Sequence, residues 1–329
     1  MTLAPMSSAP MASALLARYR FTFRMHTALH LPEYAGSLLR GQFGAALRQV
    51  SCMTRQSSCE GCPLRGTCPY ASLFEAPAPA AHALQQFSHI PNPYVIEPPE
   101  PDARRVEAGD TFSFAVVLIG QATAQLPLVS FALQQALEKG LGRTRASGTL
   151  ESIEWQQATS TGTHPVCIWR KGESAIAGHA PHVHLPEPDA HTTRQLTLHM
   201  RTPMRLQQQG TPLRPAALKP RKLMADLLRR ITLLNDFHGL QAGHAGQQPD
   251  VHALVEHAHA LAHYRNLHWH DWSRYSSRQQ REMTLGGVLG DWTLEGDIGP
   301  LLPWLQLGQW LHVGKNATMG LGHYTLTYS

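Results

Sequence analysis

A weak internal duplication limits what this chain can fold into more than any other feature. Residues Met25 to Leu31 read MHTALHL, and residues Met200 to Leu206 read MRTPMRL. Each closes an alternating, strand-like run, Tyr19 to Met25 in the first half and Gln195 to Met200 in the second. Each then leads through a turn-rich piece into a helical pattern. The first helix spans Tyr34 to Val50, with Leu38, Leu39, Phe43 and Leu47 on one stripe. The second spans Ala216 to Phe237. There Leu223, Leu227, Leu228, Ile231 and Leu234 face inward, and Lys222, Arg229 and Arg230 face out.

The two halves also end alike. In the first, Thr111 to Gly120 is a strand pattern and Leu128 to Lys139 a helix. A glycine-rich basic loop, Gly140 to Gly148, precedes a strand at Thr149 to Trp155. In the second, Met283 to Leu294 is strand-like around a Gly286-Gly287 break, and Pro300 to Gln309 is a short helix. A second glycine loop, Val313 to Gly322, then feeds the last strand, Leu321 to Tyr328. Each half thus reads β-α-(β-β)-α-β, the ferredoxin-like order. The expected fold is α+β: two tandem ferredoxin-like (RRM-like) domains with glycine-rich loops and a small four-cysteine metal knuckle inserted in the first. The boundaries read as a disordered lead-in at 1–17, an N-terminal domain at 18–157 with the cysteine insertion at 51–70, a linker at 158–192 and a C-terminal domain at 193–329. One domain with a long insertion is the alternative. The Pro-rich pieces Ala76 to Ala80 and Pro91 to Pro101 read as loops.

At 329 residues and 43% hydrophobic content, the chain can bury a core in each of two domains. Its net charge of +5 permits a polyanionic partner. The distribution says more than the total. Between Arg201 and Arg230 there are eight Lys or Arg and one acid, Asp226. Smaller clusters are Lys139, Arg143 and Arg145, and Arg274, Arg278 and Arg281. Clustering of this kind is the footprint of phosphate binding; solvated helix faces are the competing account. Several of the 20 histidines invite a metal reading, since His252 with Glu256 and His259 with His263 would share a helix face, but neither pair has a third ligand in sequence. No run of about 18 apolar residues appears, so no membrane span is expected. The first 16 residues lack the charged start of a signal peptide. Five cysteines in a chain this long do not form a disulfide framework, which points to a reducing cytoplasm.

Three motifs carry chemistry. Cys52, Cys59, Cys62 and Cys68 fall within 17 residues, including a Cys-x2-Cys knuckle. Four thiolates suit a tetrahedral ion. Structural zinc comes first, an iron–sulfur cluster second and four uncoordinated thiols third. With all four positions filled by protein, such an ion staples a loop and leaves no place for a substrate water. The second motif is the loop Gly314-Lys315-Asn316-Ala317-Thr318-Met319-Gly320-Leu321-Gly322, where glycines let amide N–H groups approach a phosphate and Lys315, His312 and His323 add charge or donors. A tight turn is its plain alternative. The third, Asp271 to Arg281, mixes Trp272 and Tyr275 with three arginines, residue types that stack on unpaired bases and fork onto phosphates. A polar loop with half-buried aromatics is the other account.

These residues together resemble a known family. The loop at Gly314 to Gly322 is similar to the signature loop of CRISPR-associated RAMP proteins. Pro32-x3-Gly36-Ser37-x-Leu39-Arg40-Gly41-x-Phe43-Gly44, the run Cys62-Pro63-x4-Cys68-Pro69-Tyr70, and Arg274 to Gln279 with Leu285-Gly286-Gly287 resemble the branch that processes CRISPR precursor transcripts. The resemblance runs from about residue 18 to the C-terminus. It implies tandem ferredoxin-like domains that grip repeat RNA and cut it once without a metal. Attack by the RNA's own 2′-OH leaves a 2′,3′-cyclic phosphate. The family carries its histidine after the first strand or in the first helix; the matching positions here are His26 and His30, with Tyr34 to orient and Tyr275 as a further candidate. The RNA-holding set it implies is Arg40, Arg143, Arg145, Arg201, Arg205, Lys222, Arg274, Arg278, Lys315, Gly314, Gly320 and Gly322. The expected partners are precursor and mature guide RNA and other CRISPR effector subunits. Two other readings stand beside this one. One is a RAMP subunit that binds or caps guide RNA without cutting. The other is a scaffold that docks a partner through its cysteines.

Overall fold

The computed structural model describes residues 13–76, 90–99, 104–159, 162–184, 193–242, 250–276 and 281–328. The first half runs β1 (Ser13–Met25), β2 (Leu29–His30), α1 (Gly36–Ser51), α2 (Pro69–Phe74), β3 (Tyr94–Glu97), β4 (Arg105–Val106), β5 (Thr111–Ile119), α3 (Leu126–Lys139), β6 (Gly148–Thr159), β7 (Gly162–Arg170) and β8 (His182–His184). The second runs β9 (Gln195–Met204), β10 (Gln207–Gln208), β11 (Thr211–Pro212), α4 (Pro220–His238), α5 (Val251–His259), β12 (Ala262–His270), β13 (Ser273–Ser276), β14 (Arg281–Thr284), β15 (Gly287–Glu295), α6 (Leu302–Leu311) and β16 (Tyr324–Tyr328).

Sheet order makes the duplication explicit. The first sheet runs β3-β5-β1-β6-β7, and the second runs β12-β15-β9-β16. The first strand of each half is flanked by the strand before the last helix and the strand after it, all antiparallel. Alternation drives this placement. Tyr19, Phe21, Phe23 and Met25 of β1 are buried, while Arg20 and Arg24 between them are exposed. The buried set packs with Leu39, Phe43 and Leu47 of α1 and Val129, Leu133 and Leu137 of α3 in one core. In the second half Leu196 and Leu198 of β9 pack with the Leu223, Leu227, Leu228, Ile231 and Leu234 stripe of α4. That core also takes in Leu16, Val95, Val117 and Ile119 of the first half, so the halves share apolar packing. Two glycines set close approaches. A Cβ on Gly44 of α1 would lie 2.3 Å from the Phe74 ring, and one on Gly308 of α6 would lie 2.0 Å from the Tyr324 hydroxyl.

Several sequence expectations need correction. Strand β1 begins at Ser13, inside the expected lead-in of 1–17. The expected linker at 158–192 carries β7 and β8: β7 pairs antiparallel with β6, and β8 pairs with the start of β1. A Gly-, Thr- and Pro-containing stretch looked like connection, but edge strands tolerate those residues. The Pro91–Pro101 piece contains β3, whose Tyr94, Val95 and Ile96 are fully buried against β5. His259 and His263 share no helix face, because α5 ends at His259 and His263 lies on β12, where its Nδ1 accepts from Trp292 Nε1 at 3.4 Å. Among the described residues no helix is long and apolar enough to cross a membrane.

Candidate nucleic-acid interface

The second glycine loop lies between the halves. Tyr34, just before α1, donates its hydroxyl to the Met319 carbonyl at 2.9 Å. A Cβ on Gly36 would fall 1.9 Å from the same Met319 oxygen, and a Cβ on Gly320 would fall 2.6 Å from the Ile96 carbonyl on β3. Gly314, Gly320 and Gly322 hold φ of 95°, 85° and 73°, so the loop needs left-handed backbone at each. Its amides are already engaged: Val313 N–H to Gly322 O, Lys315 to Arg205 O, Met319 to Asn316 O, Gly320 to Ala317 O and Gly322 to Pro203 O. Those five amides are therefore already bonded within the protein. What it presents outward is the exposed Lys315 side chain.

At the foot of the loop is a buried polar cluster that sequence reading missed. Arg18 approaches both carboxylate oxygens of Glu97 at 2.8 Å, and His312 Nε2 lies 3.1 Å from Oε1. The His312 and His323 rings stack 4.7 Å apart at 8°. Burial alone would raise the Glu97 carboxyl, but Arg18 and the His312 hydrogen bond more than offset it and hold the group at about 2. Burial, then the neighbouring His312, Arg18 and Arg201, push His323 down to about 3; burial likewise lowers His312. Both rings are therefore neutral near pH 7, and His312 donates through Nε2–H. Of the two roles expected of them, charge or donor, His312 takes that of donor. Glu97 escaped notice because it opens a Pro-Pro run that reads as loop.

A second polar group forms at the first glycine loop. His26, exposed at the end of β1, places Nε2 2.8 Å from Thr149 Oγ1. Its amide donates to Ser147 O, and Ser147 N–H donates to Thr27 Oγ1. Exposed Arg143 and Arg145 stand on the adjoining turn, which the Leu141–Ala146 bridge closes. One sheet end thus carries an imidazole bonded to a hydroxyl, with two exposed arginines on the adjoining turn, the residue types that general acid–base work on a phosphodiester requires.

The remaining candidates divide. His30 is exposed on β2, opposite Arg105. Nearby in sequence, Glu33 lies 3.8 Å from His270, and the Tyr34 and Trp272 rings meet edge-on at 4.9 Å, which brings the end of β12 to the start of α1. Arg214 stacks over Trp269 at 3.9 Å. Neither His270 nor Trp269 was a sequence candidate, since both sit on a strand whose alternation is weak. Arg201 is exposed, while Arg205 donates to Gly286 O at 2.7 Å. Lys222 pairs with Asp226 at 2.7 Å, and the Arg40 guanidinium covers the Phe74 ring at 4.2 Å. Arg205, Lys222 and Arg40 therefore have structural partners. Arg274 and Tyr275 lie on β13, where Tyr275 pairs with Glu282. Arg278 lies outside the described residues.

Cys52, Cys59, Cys62 and Cys68 line one pocket with Thr54, Arg65 and Tyr70. Cys59 and Cys68 pack against the first core, and Thr54 Oγ1 lies 3.5 Å from Cys62 Sγ. Among the described residues only Glu97, His312 and His323 bring three potential ligand atoms within 4.8 Å of one another, so the thiols share a pocket without closing that tightly.

Residues 12–181 match a family of N-terminal domains, AF_1859_N. Residues 198–324 match the CRISPR-associated endoribonuclease Cas6. The second half of the chain is a Cas6-family domain. Solved Cas6 structures share the fold of the chain. A Cas6 product complex covers 95% of this chain and 99% of its own, with a TM-score of 0.54 and 18% identity. The partial Cas6-RT-Cas1–Cas2 complex covers 98% of this chain, also at 0.54 and 18%, and the Cas6-RT-Cas1–Cas2 complex does the same. This chain spans 47% and 29% of the length of those last two. No curated protein matches it in sequence.

Proposed function

We propose that this chain binds CRISPR repeat RNA and cuts the precursor transcript by attack of the RNA's own 2′-OH, without a metal, leaving a 2′,3′-cyclic phosphate. The observation that carries this reading is the His26–Thr149 pair beside Arg143 and Arg145, in a chain whose second half matches the Cas6 endoribonuclease family. His26 takes or gives the proton, Thr149 orients its ring, and the arginines neutralise the phosphate. His30 is the alternative shuttle, with Tyr275 as a further donor. The four-strand order shared by the two sheets, to which β7 and β8 are added in the first, supports the tandem ferredoxin-like reading, with RNA held across both. Lys315 and Arg201 add phosphate contacts from the second half.

The partners follow from the same reading: repeat RNA before and after cutting and, by likeness to the Cas6-RT-Cas1–Cas2 complexes, other CRISPR proteins. The cytoplasm is the compartment it implies. The cysteine pocket takes structural zinc, which draws the four thiolates together and pins the 51–70 segment onto α1 and α2. Zinc there has no catalytic part.

The deciding experiment incubates end-labelled repeat RNA with the protein in excess EDTA. One cut with a cyclic phosphate end is expected. Tight binding without a cut would favour a subunit that caps guide RNA. Metal analysis of the purified protein should find one zinc, lost when Cys59 and Cys62 are both replaced by Ser.

A further inference from the structure

We infer that Glu97 is a positioning residue: through His312 it holds the second glycine loop in its seat against the first half, and so sets how the two halves grip one RNA. The inference rests on the proposed RNA-cutting function for its activity readout but not for its structural one.

The argument starts from backbone geometry. His312 leaves α6 with φ of 58°, a left-handed conformation that a histidine adopts only where its surroundings hold it. Its side chain is 1% exposed, and it reaches across the joint to Glu97, which ends β3 of the first half. Arg18 on β1 fixes the carboxylate from the other side, and its own guanidinium lies 4.4 Å from the Trp310 ring centre, on the helix that ends just before His312. The link from first half to loop therefore runs Arg18, Glu97, His312. At the other end of the loop the Met319 carbonyl accepts from the Tyr34 hydroxyl, and Gly320 lies against the Ile96 backbone. Glu97–His312 is thus the charged side-chain hydrogen bond that anchors the stem of the loop to the first half. Lys315 and Arg201, two exposed cations of the second half, lie on this loop and on the strand beside it.

Glu97, His312 and His323 also form the one group among the described residues whose ligand atoms approach as a divalent ion requires. The surrounding charge argues against an ion. Arg18 already neutralises the lone carboxylate, so a divalent cation would leave a buried excess of two positive charges.

Two substitutions separate the hydrogen bond from mere burial. Glu97→Gln keeps an oxygen that accepts from His312, whereas Glu97→Leu removes it. The measurement is hydrogen exchange at the Val313, Lys315 and Gly322 amides of the RNA-free protein. Glu97→Leu should speed exchange there about ten-fold while leaving β5 protected, and Glu97→Gln should not. If Glu97→Leu does not fold, His312→Asn tests the same bond by removing the ring nitrogen that reaches Glu97. In RNA cleavage, Glu97→Leu should raise the protein concentration for half-maximal cutting about ten-fold and change the rate at saturation little. Unchanged loop exchange in both Glu97→Leu and His312→Asn would overturn the inference, whether or not the wild type cuts RNA. So would zinc binding that survives Cys59→Ser with Cys62→Ser and disappears with His323→Ala. A wild type that neither binds nor cuts repeat RNA would remove the proposed function alone, and the exchange result would still decide the role of Glu97.

Discussion

The two glycine loops occupy equivalent places in a duplicated fold, yet they do different work. The loop at 140–148 precedes β6 and carries two exposed arginines on the turn that adjoins the His26–Thr149 pair. The loop at 313–322 precedes β16 and is seated against the other half, with five of its amides bonded, Gly320 close on the Ile96 carbonyl and Gly36 close on the Met319 carbonyl. Duplication copies the topology of a loop. What the loop then faces decides its role, because a glycine's missing Cβ admits a phosphate or a neighbouring backbone equally well.

The largest expected effect tests the first loop. His26→Ala should slow cleavage at least about 100-fold, the low end for a lost acid–base group, while RNA binding holds. Gel analysis of cut and bound RNA checks this. Retained cutting in His26→Ala, with loss in His30→Ala, would move the chemistry away from the first loop and break the comparison.

Next in size is a stability contrast between the loops. Gly320→Ala combines φ of 85° with a Cβ 2.6 Å from Ile96 O, and should cost about 2–4 kcal/mol in urea unfolding. Gly142→Ala shares the left-handed backbone, at φ 68°, but meets nothing nearer than Leu38 Cδ2 at 3.8 Å. It should cost about 1–2 kcal/mol. Equal costs would mean that the second loop is not wedged as described.

Salt dependence refines the assignment of charge. Replacing Arg143 and Arg145 together by Ala should reduce the slope of log affinity against log salt by about 1.4, or about 0.7 for each single-strand phosphate contact. Lys315→Ala should remove one such contact at most. A larger effect at Lys315 would show that the second loop is the main phosphate contact despite its engaged amides.

The smallest effect concerns the joint itself. His238, whose Nε2 meets the Pro91 carbonyl at 2.8 Å, is held below the ordinary histidine range chiefly by burial. Because its folded-state value is depressed, the unfolded chain binds the extra proton first. The stability this neutral histidine contributes is full above about pH 6.5 and is lost as pH falls through that value. Thermal unfolding at pH 8 and pH 5.5 should show the loss, and His238→Gln should flatten it. No flattening would place the pH sensitivity elsewhere.

Much of the architecture was legible because period-2 and period-3.6 patterns are local. The Tyr19–Phe21–Phe23–Met25 alternation and the Leu223–Leu234 stripe announce β1 and α4 without any partner in view. Strand β3 was hidden, since it is short, apolar on both faces and boxed by prolines. Strand β12 was hidden too, because its exposed His, Asn and Arg residues break the alternation. His26 could be named from its place after the first strand, but its Thr149 partner lies 123 residues away.

The sequence by itself determined the duplication, the α+β class, the glycine loops, the cysteine quartet and the histidines at the end of the first strand. All of these are local in the chain. Only the tertiary structure decided which loop is free and which is a joint, which arginines are engaged by Phe74 or backbone carbonyls, and that Glu97, Arg18, His312 and His323 meet at all. Those facts depend on contacts between residues up to some 300 positions apart, from Arg18 to His323, where no local periodicity reaches and only the packing of one half on the other sets distance, burial and charge.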